Sequence, residues 1–101
     1  MNGGQRYDFE WNPAKAKQNH RKHGVSFERA ATVFLDPHAL SIFDPEHSGD
    51  EDRWITLGMD RHGVMLIVSH TFRAVDEQTA SVRIITSRKA TKAERKQYAQ
   101  R

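Results

Sequence analysis

Seven basic side chains crowd the last twenty residues: Arg83, Arg88, Lys89, Lys92, Arg95, Lys96 and Arg101, against one acid, Glu94. The stretch Val82–Arg101 therefore carries a local net charge of +6. A strand pattern over Val82–Ser87 runs into Thr91-Lys92-Ala93-Glu94, a capping box that opens a helix. Guanidinium groups mounted on ordered backbone suit phosphate, because the planar fork meets two oxygens at once. The chemistry this points to is contact with RNA or DNA and, in its sharper form, RNA cleavage. Cleavage without a metal uses the neighbouring 2′-hydroxyl as nucleophile. It needs a proton acceptor, cations for the charge building on phosphorus, and a proton for the leaving oxygen. Arg83 and Arg88 are the first candidates for the cationic role and Arg53 the third. His23, Glu51 and Tyr98 are the candidates for moving protons, Tyr98 also for stacking on a base. Lys22, Lys89, Lys92 and Arg95 complete the set as phosphate contacts.

Each of these residues has an ordinary structural alternative. The arginines could pair with carboxylates of an acidic loop. His23 stands where a helix ends, and a cation there favours the negative end of the helix dipole. Glu51 lies in that exposed acidic loop, and Tyr98 could pack the last helix onto a sheet. Glu94 reads as the partner of Thr91 in the capping box. Trp11 reads as core, while Trp54 is open between core and stacking. Asp44, Glu46, His47, Asp50, Glu51 and Asp52 offer atoms for a divalent ion but lack a known ligand spacing. The lysines of Ala14–Gly24 read as a solvated helix face.

The elements that must position these groups follow from pattern and punctuation. A length of 101 residues means one domain with one modest core. Tyr7, Phe9 and Trp11 alternate with Asp8 and Glu10, a short strand with one apolar face. Asn12-Pro13 opens a helix over Pro13–His23 that Gly24 ends. Ser26 caps a second, whose Phe27, Ala30, Ala31 and Phe34 form a buried stripe before Asp36-Pro37 stops it. Strands follow at Ala39–Phe43, Arg53–Met59 and Val64–His70, the last two joined by the turn Asp60-Arg61-His62-Gly63. Ala74–Ser81 reads as a polar hairpin loop before the last strand. The expected order is β-α-α-β-β-β-β-α, an α+β domain with a mostly antiparallel sheet. Charge alternates with it: Asp36–Asp60 carries seven acids against Arg53 alone, a local −6, between the basic segments.

Three of these segments together resemble the BrnT family, the toxin half of a bacterial type II toxin–antitoxin pair. They are FEWNPAKAKQNHRKHGVSFERAATVFLDP (Phe9–Pro37), DPEHSGDEDRWITLG (Asp44–Gly58) and VRIITSRKATKAERKQY (Val82–Tyr98). Arg73–Ser81 runs longer than the compact hairpin associated with that family. The resemblance implies a RelE-like fold, ribonuclease activity that inhibits translation, and neutralisation by a BrnA-type antitoxin. That antitoxin would carry a ribbon-helix-helix region, and operator DNA would be reached only through the complex. No cofactor is expected.

Composition bounds the rest. There is no cysteine, so disulfides and thiolate metal sites are excluded. No apolar run approaches the ~20 residues of a membrane helix. MNGGQRYDFEW lacks the hydrophobic stretch of a secretory signal, so a cytoplasmic protein is expected. Two rival functions stay open at this point. One is a non-catalytic module that binds nucleic acid and a partner, such as a co-repressor subunit. The other is a metal-dependent nuclease using the Asp44–Asp52 loop.

Overall fold

The computed structural model describes residues 6–100. Residues 1–5, part of the segment read for a secretory signal, and Arg101 at the end of the basic stretch lie outside the described residues. The local start and stop signals act as their chemistry dictates. Asn12 Oδ1 accepts from the backbone N–H of Ala14 (2.9 Å) and Lys15 (3.2 Å), and helix α1 runs Pro13–His23. Gly24 closes it with φ of +70°, where a side chain would be strained. Ser26 Oγ accepts from Arg29 N–H, opening α2 over Phe27–Thr32. The apolar stripe then finishes in a 3₁₀ turn, Val33–Leu35, because Asp36-Pro37 allows no further α-helical turn.

The strands are β1 (Arg6–Glu10), β2 (Leu40–Phe43), β3 (Arg53–Met59), β4 (Met65–Thr71), β5 (Arg73–Ala74) and β6 (Thr79–Lys89), and α3 spans Lys92–Gln100. The sheet order is β1-β6-β4-β3-β2, with the two-residue β5 also paired to β6. All pairings are antiparallel except β1 with β6. Two expectations need correction. The final strand has eleven residues and begins at Thr79, and part of the supposed loop Ala74–Ser81 is ladder. The polar side chains there give no strand pattern. The order comes from backbone pairing of Thr79–Arg83 with β1 on one side and of Ala80 and Ser81 with β5 on the other.

The helices α1 and α2 cover one face of the sheet. Val25, Phe27, Ala30 and Val33 pack there against Leu66, Val68, Val82 and Ile84. Gly58 lets this layer close up, since a Cβ there would lie 2.8 Å from Val33 Cγ1 and 3.0 Å from Ala39 Cβ. On the opposite face α3 covers one end only, where Ala90 and Tyr98 meet Leu57 and Ile67. The rest of that face is open.

One irregularity decides which side chains share the open face. In the β4–β6 ladder Ser69 faces Thr86, but His70 faces Ile84, so Ile85 is an extra residue in β6. A bulge of this kind resets the alternation of side chains along the strand. Arg83 lies opposite the core residues Val82 and Ile84, and Arg88 pairs with Ile67 of the second cluster. Five residues apart, they would point to opposite sides of a regular strand, but the bulge puts both on the open face.

β6 also has an edge that is bare of strand partners. Its pairing with β1 ends at Arg83. Beyond that point α1 lies alongside, and Asn19 takes the place of a strand partner. Its Nδ2 donates to the Ser87 carbonyl (2.8 Å) and to the Val25 carbonyl (3.1 Å), while its Oδ1 accepts from Ser87 N–H (3.1 Å).

Candidate active site

The register builds one row across the open face from four strands. Arg53 faces Thr71, and Arg83 faces Glu10 on β1. Thr71 and Arg83 are tied directly, Arg83 N–H donating to Thr71 Oγ1 at 3.2 Å. The acidic loop supplies the remaining partner: the Arg83 guanidinium (Nη2) is in direct contact with Glu51 Oε1. That loop is held shut at its base. Asp44 N–H donates to the Arg53 carbonyl (2.8 Å), Ser48 Oγ donates to the Asp44 carbonyl (2.7 Å), and Arg53 N–H donates to Ser48 Oγ (2.9 Å). The result is an open cleft of about 420 Å³ lined by Glu10, Asp50–Asp52, Thr71–Arg73, Ser81 and Arg83.

The electrostatics follow the alternative in which an arginine pairs with the acidic loop. The bond from Arg83 holds the Glu51 carboxyl below the usual carboxylate range; slight desolvation opposes this, and the charges of Arg83 and Arg53 add to it. Glu51 is therefore ionised at neutral pH, in contact with the Arg83 guanidinium and within the electrostatic reach of Arg53. Arg53 is half-buried, and its Nε is buried with no hydrogen-bond partner among the described residues.

Arg88 shares the face but not the cleft. It stands two register rows from Arg83, roughly 15 Å along the strand at ~3.3 Å per residue. Its fork grips Glu94 with both nitrogens, Nη1 to Oε1 at 2.8 Å and Nη2 to Oε2 at 2.9 Å. Glu94 is also the expected capping-box residue, accepting from Thr91 N–H (2.8 Å) while Thr91 Oγ1 accepts from Glu94 N–H (3.2 Å). The bonds from Arg88 bring Glu94 down to about 2 from the 4.5 of a free glutamate; partial burial opposes them and the Thr91 N–H assists. A depressed folded-state value stabilises the fold above the unfolded value, and that stabilisation is lost as pH falls from about 4.5 toward 2. Its expected size is about 1–2 kcal/mol after allowing for screening at the partly exposed Arg88. Urea midpoints of the wild type and Glu94→Gln should accordingly differ at pH 7 and converge below pH ~3. A gap that stays constant down to that pH would show that the ion pair contributes nothing.

The other candidates scatter, and here the structure separates residues that spacing could not. His23, half-buried at the end of α1, lines a hollow of about 280 Å³ with Lys15, Lys22, Ile85 and Thr86, away from the Arg83 cleft. Tyr98 packs on the second core cluster, and its hydroxyl donates to Asp36 Oδ2 at 2.7 Å. Desolvation would raise the Asp36 carboxyl, but bonds from Met59 N–H, Tyr98 and His38 N–H outweigh it and hold the group low. Arg95 donates to the Ala90 carbonyl at 3.1 Å, and Lys89 and Lys92 are exposed near the same corner. Trp11 is edge-on to the core ring of Phe27, and Trp54 to Phe43. Among the described residues no three His, Asp or Glu side chains converge as ligands for a metal ion.

Sequence reasoning missed Glu10, Thr71 and Asn19. Glu10 was legible as the outward residue of an alternating strand, but nothing local said which strand it would adjoin. Thr71 lies just past the apolar run of β4. Asn19 offered one signal, a lone amide amid cations on an otherwise alanine-and-lysine helix.

Comparison with known proteins gives the family and the fold. The model of the family described as "Ribonuclease toxin, BrnT, of type II toxin-antitoxin system" matches residues 11–94. Among solved structures the chain is similar to the Brucella abortus ribonuclease toxin BrnT, known from a crystal structure at 1.1 Å resolution. The two share 22% sequence identity, the likeness covers 86% of this chain and 100% of that one, and the TM-score is 0.55. At that identity the likeness carries the fold alone. No curated protein matches the chain.

Proposed function

Since the chain belongs to the BrnT family of type II toxin–antitoxin ribonuclease toxins, we propose that it cuts RNA without a metal ion, through attack of the ribose 2′-hydroxyl, and so stops translation. The observation that carries this reading is the contact of Arg83 with Glu51, beside Arg53, in an open cleft. A scissile phosphate takes the Arg83 fork in place of the carboxylate, and Arg53 adds a second positive charge. Displaced from Arg83, Glu51 loses the contact that most lowers its proton affinity and becomes a better base. It then accepts the 2′-hydroxyl proton as O2′ bonds to phosphorus and the P–O5′ bond breaks. The leaving O5′ takes a proton from solvent in the open cleft. The products are a 2′,3′-cyclic phosphate and a 5′-hydroxyl.

In this reading Arg88, with Lys89, Lys92 and Arg95, meets phosphates upstream or downstream of the cut, while Tyr98 holds α3 in place through Asp36. The protein antitoxin implied by the family is of BrnA type with a ribbon-helix-helix region, and its complex with the toxin represses their operon from the cytoplasm. The test is cleavage of a single-stranded RNA by purified protein in excess chelator, with analysis of the new ends. Cyclic phosphate and 5′-hydroxyl ends are expected. Activity that vanishes in chelator and returns with magnesium or manganese, or ends bearing a 5′-phosphate, would overturn the mechanism in favour of the metal-dependent alternative.

A further inference from the structure

The basic side chains divide into two classes by their partners. Arg29, Arg83 and Arg88 are each tied to a carboxylate. Among the described residues, none of Lys15, Lys17, Arg21 and Lys22 on α1 has a hydrogen-bond or ion-pair partner. The helix dipole accounts for Arg21 and Lys22 in the last turn, but not for Lys15. Lys15 sits in the first turn, which holds no acid, where a cation is disfavoured.

Geometry separates two rows of cations. Lys15 and Lys22, seven residues apart and so about 10 Å along one face, look across the hollow to Ile85 and Thr86 at the bare edge of β6. Thr86 pairs with Ser69 on the open face, between Arg83 and Arg88. Lys17 and Arg21 instead line a separate hollow toward α2, next to Glu28. The first row therefore adjoins, through Thr86, the strand that carries Arg83 and Arg88, and the second does not.

We infer that single-stranded RNA leaves the cleft over the bare edge of β6 at Thr86 and lies along the α1 face that carries Lys15 and Lys22. This rests on the ribonuclease reading above and extends it to where the substrate runs beyond the cut. The ligand class follows from the chemistry of the surface. It presents unpaired ammonium groups and no large exposed apolar side chain; among the described residues those are Leu35, Ile42, Phe43, Phe72 and Val75, all elsewhere. Protein interfaces have apolar centres depleted in lysine, whereas a phosphate backbone asks only for positive charge in a row.

The test measures binding of a 2′-O-methylated single-stranded RNA of about 12 nucleotides, within the span small domains cover and unable to be cut, over a range of salt. Lys15→Glu/Lys22→Glu should weaken binding about tenfold or more and make the logarithmic salt dependence shallower by about 1.4, at ~0.7 per single-strand phosphate contact. Lys17→Glu/Arg21→Glu, with the same charge change on the same helix, should shift the slope less than half as much. If the first pair fails to fold, Lys15→Gln/Lys22→Gln is read the same way with a smaller loss. Equal losses for both pairs would reduce the effect to bulk charge and overturn the inference alone. Intact RNA binding with lost antitoxin binding would assign the face to the protein partner and overturn it too. A wild type that binds no RNA would sink the ribonuclease reading itself.

Discussion

Arg83→Ala is expected to slow RNA cleavage by about 10²–10³-fold in single-turnover assays, the usual cost of removing one preorganised charge from a developing oxyanion. The loss should fall on the chemical step more than on binding, since the outlying cations still hold the backbone. Arg83→Lys should recover only part of it, because a single ammonium does not bridge two phosphate oxygens. Arg88→Ala is expected to behave differently. It strips Glu94 of its bidentate partner, so its effect on stability should rival its effect on rate. Measured at a temperature where both variants are folded, the ratio of the two rate losses tells the roles apart. Cleavage by Arg83→Ala within about threefold of the wild type, too little for a lost oxyanion contact, would remove Arg83 from the chemistry and leave the cleft without its main argument. Abolition of cleavage only in the Arg83→Ala/Arg88→Ala double variant would mean that either guanidinium suffices.

The second large effect is on the fold. Asn19→Ala should destabilise the protein by about 2–4 kcal/mol, read from urea unfolding. Asn19 is buried, and its amide satisfies three backbone groups: the Ser87 N–H, the Ser87 carbonyl and the Val25 carbonyl. Alanine leaves all three without that partner at a strand edge pressed against a helix, where water reaches poorly. Asn19→Asp keeps the acceptor and loses the donors, so it should be nearly as costly, with a buried charge added. Since Ser87 neighbours Arg88 and follows the bulge at Ile85, weakening this tie should also loosen the strand that presents the arginines. A loss below about 1 kcal/mol in the alanine variant would mean that solvent replaces the amide and that β6 needs no partner there.

The boundaries set by local chemistry could be read from the chain. Asn12-Pro13, Gly24, Ser26, Asp36-Pro37 and the Thr91–Glu94 box act within a few residues of themselves, and each element starts or stops where those residues dictate. The apolar stripe Phe27–Phe34 and the run Met65–Val68 announced their buried faces for the same reason. The basic character of the C-terminal stretch was equally plain, being only a matter of composition. Segments ordered by distant backbone could not be read this way. Thr79–Ser81 is strand because β1, some seventy residues earlier in the chain, lies parallel to it.

Charge neutralisation by the acidic loop was legible only as an alternative, without saying which arginine would meet which carboxylate. Glu51 and Arg83 are 32 residues apart, so the densest basic segment turned out to be partly paired. The lysines of α1, read as a solvated face, have no partner among the described residues. Which helices form, which strands are apolar and which residues carry charge were properties of the chain alone, because they depend on a residue and its near neighbours. Folding in three dimensions was needed for one extra residue in β6 to turn Arg83 and Arg88 to the same side, and for Glu51 to meet Arg83. A bulge register and a cross-strand row are set by pairing free energy summed over the whole sheet, and no local pattern encodes that sum.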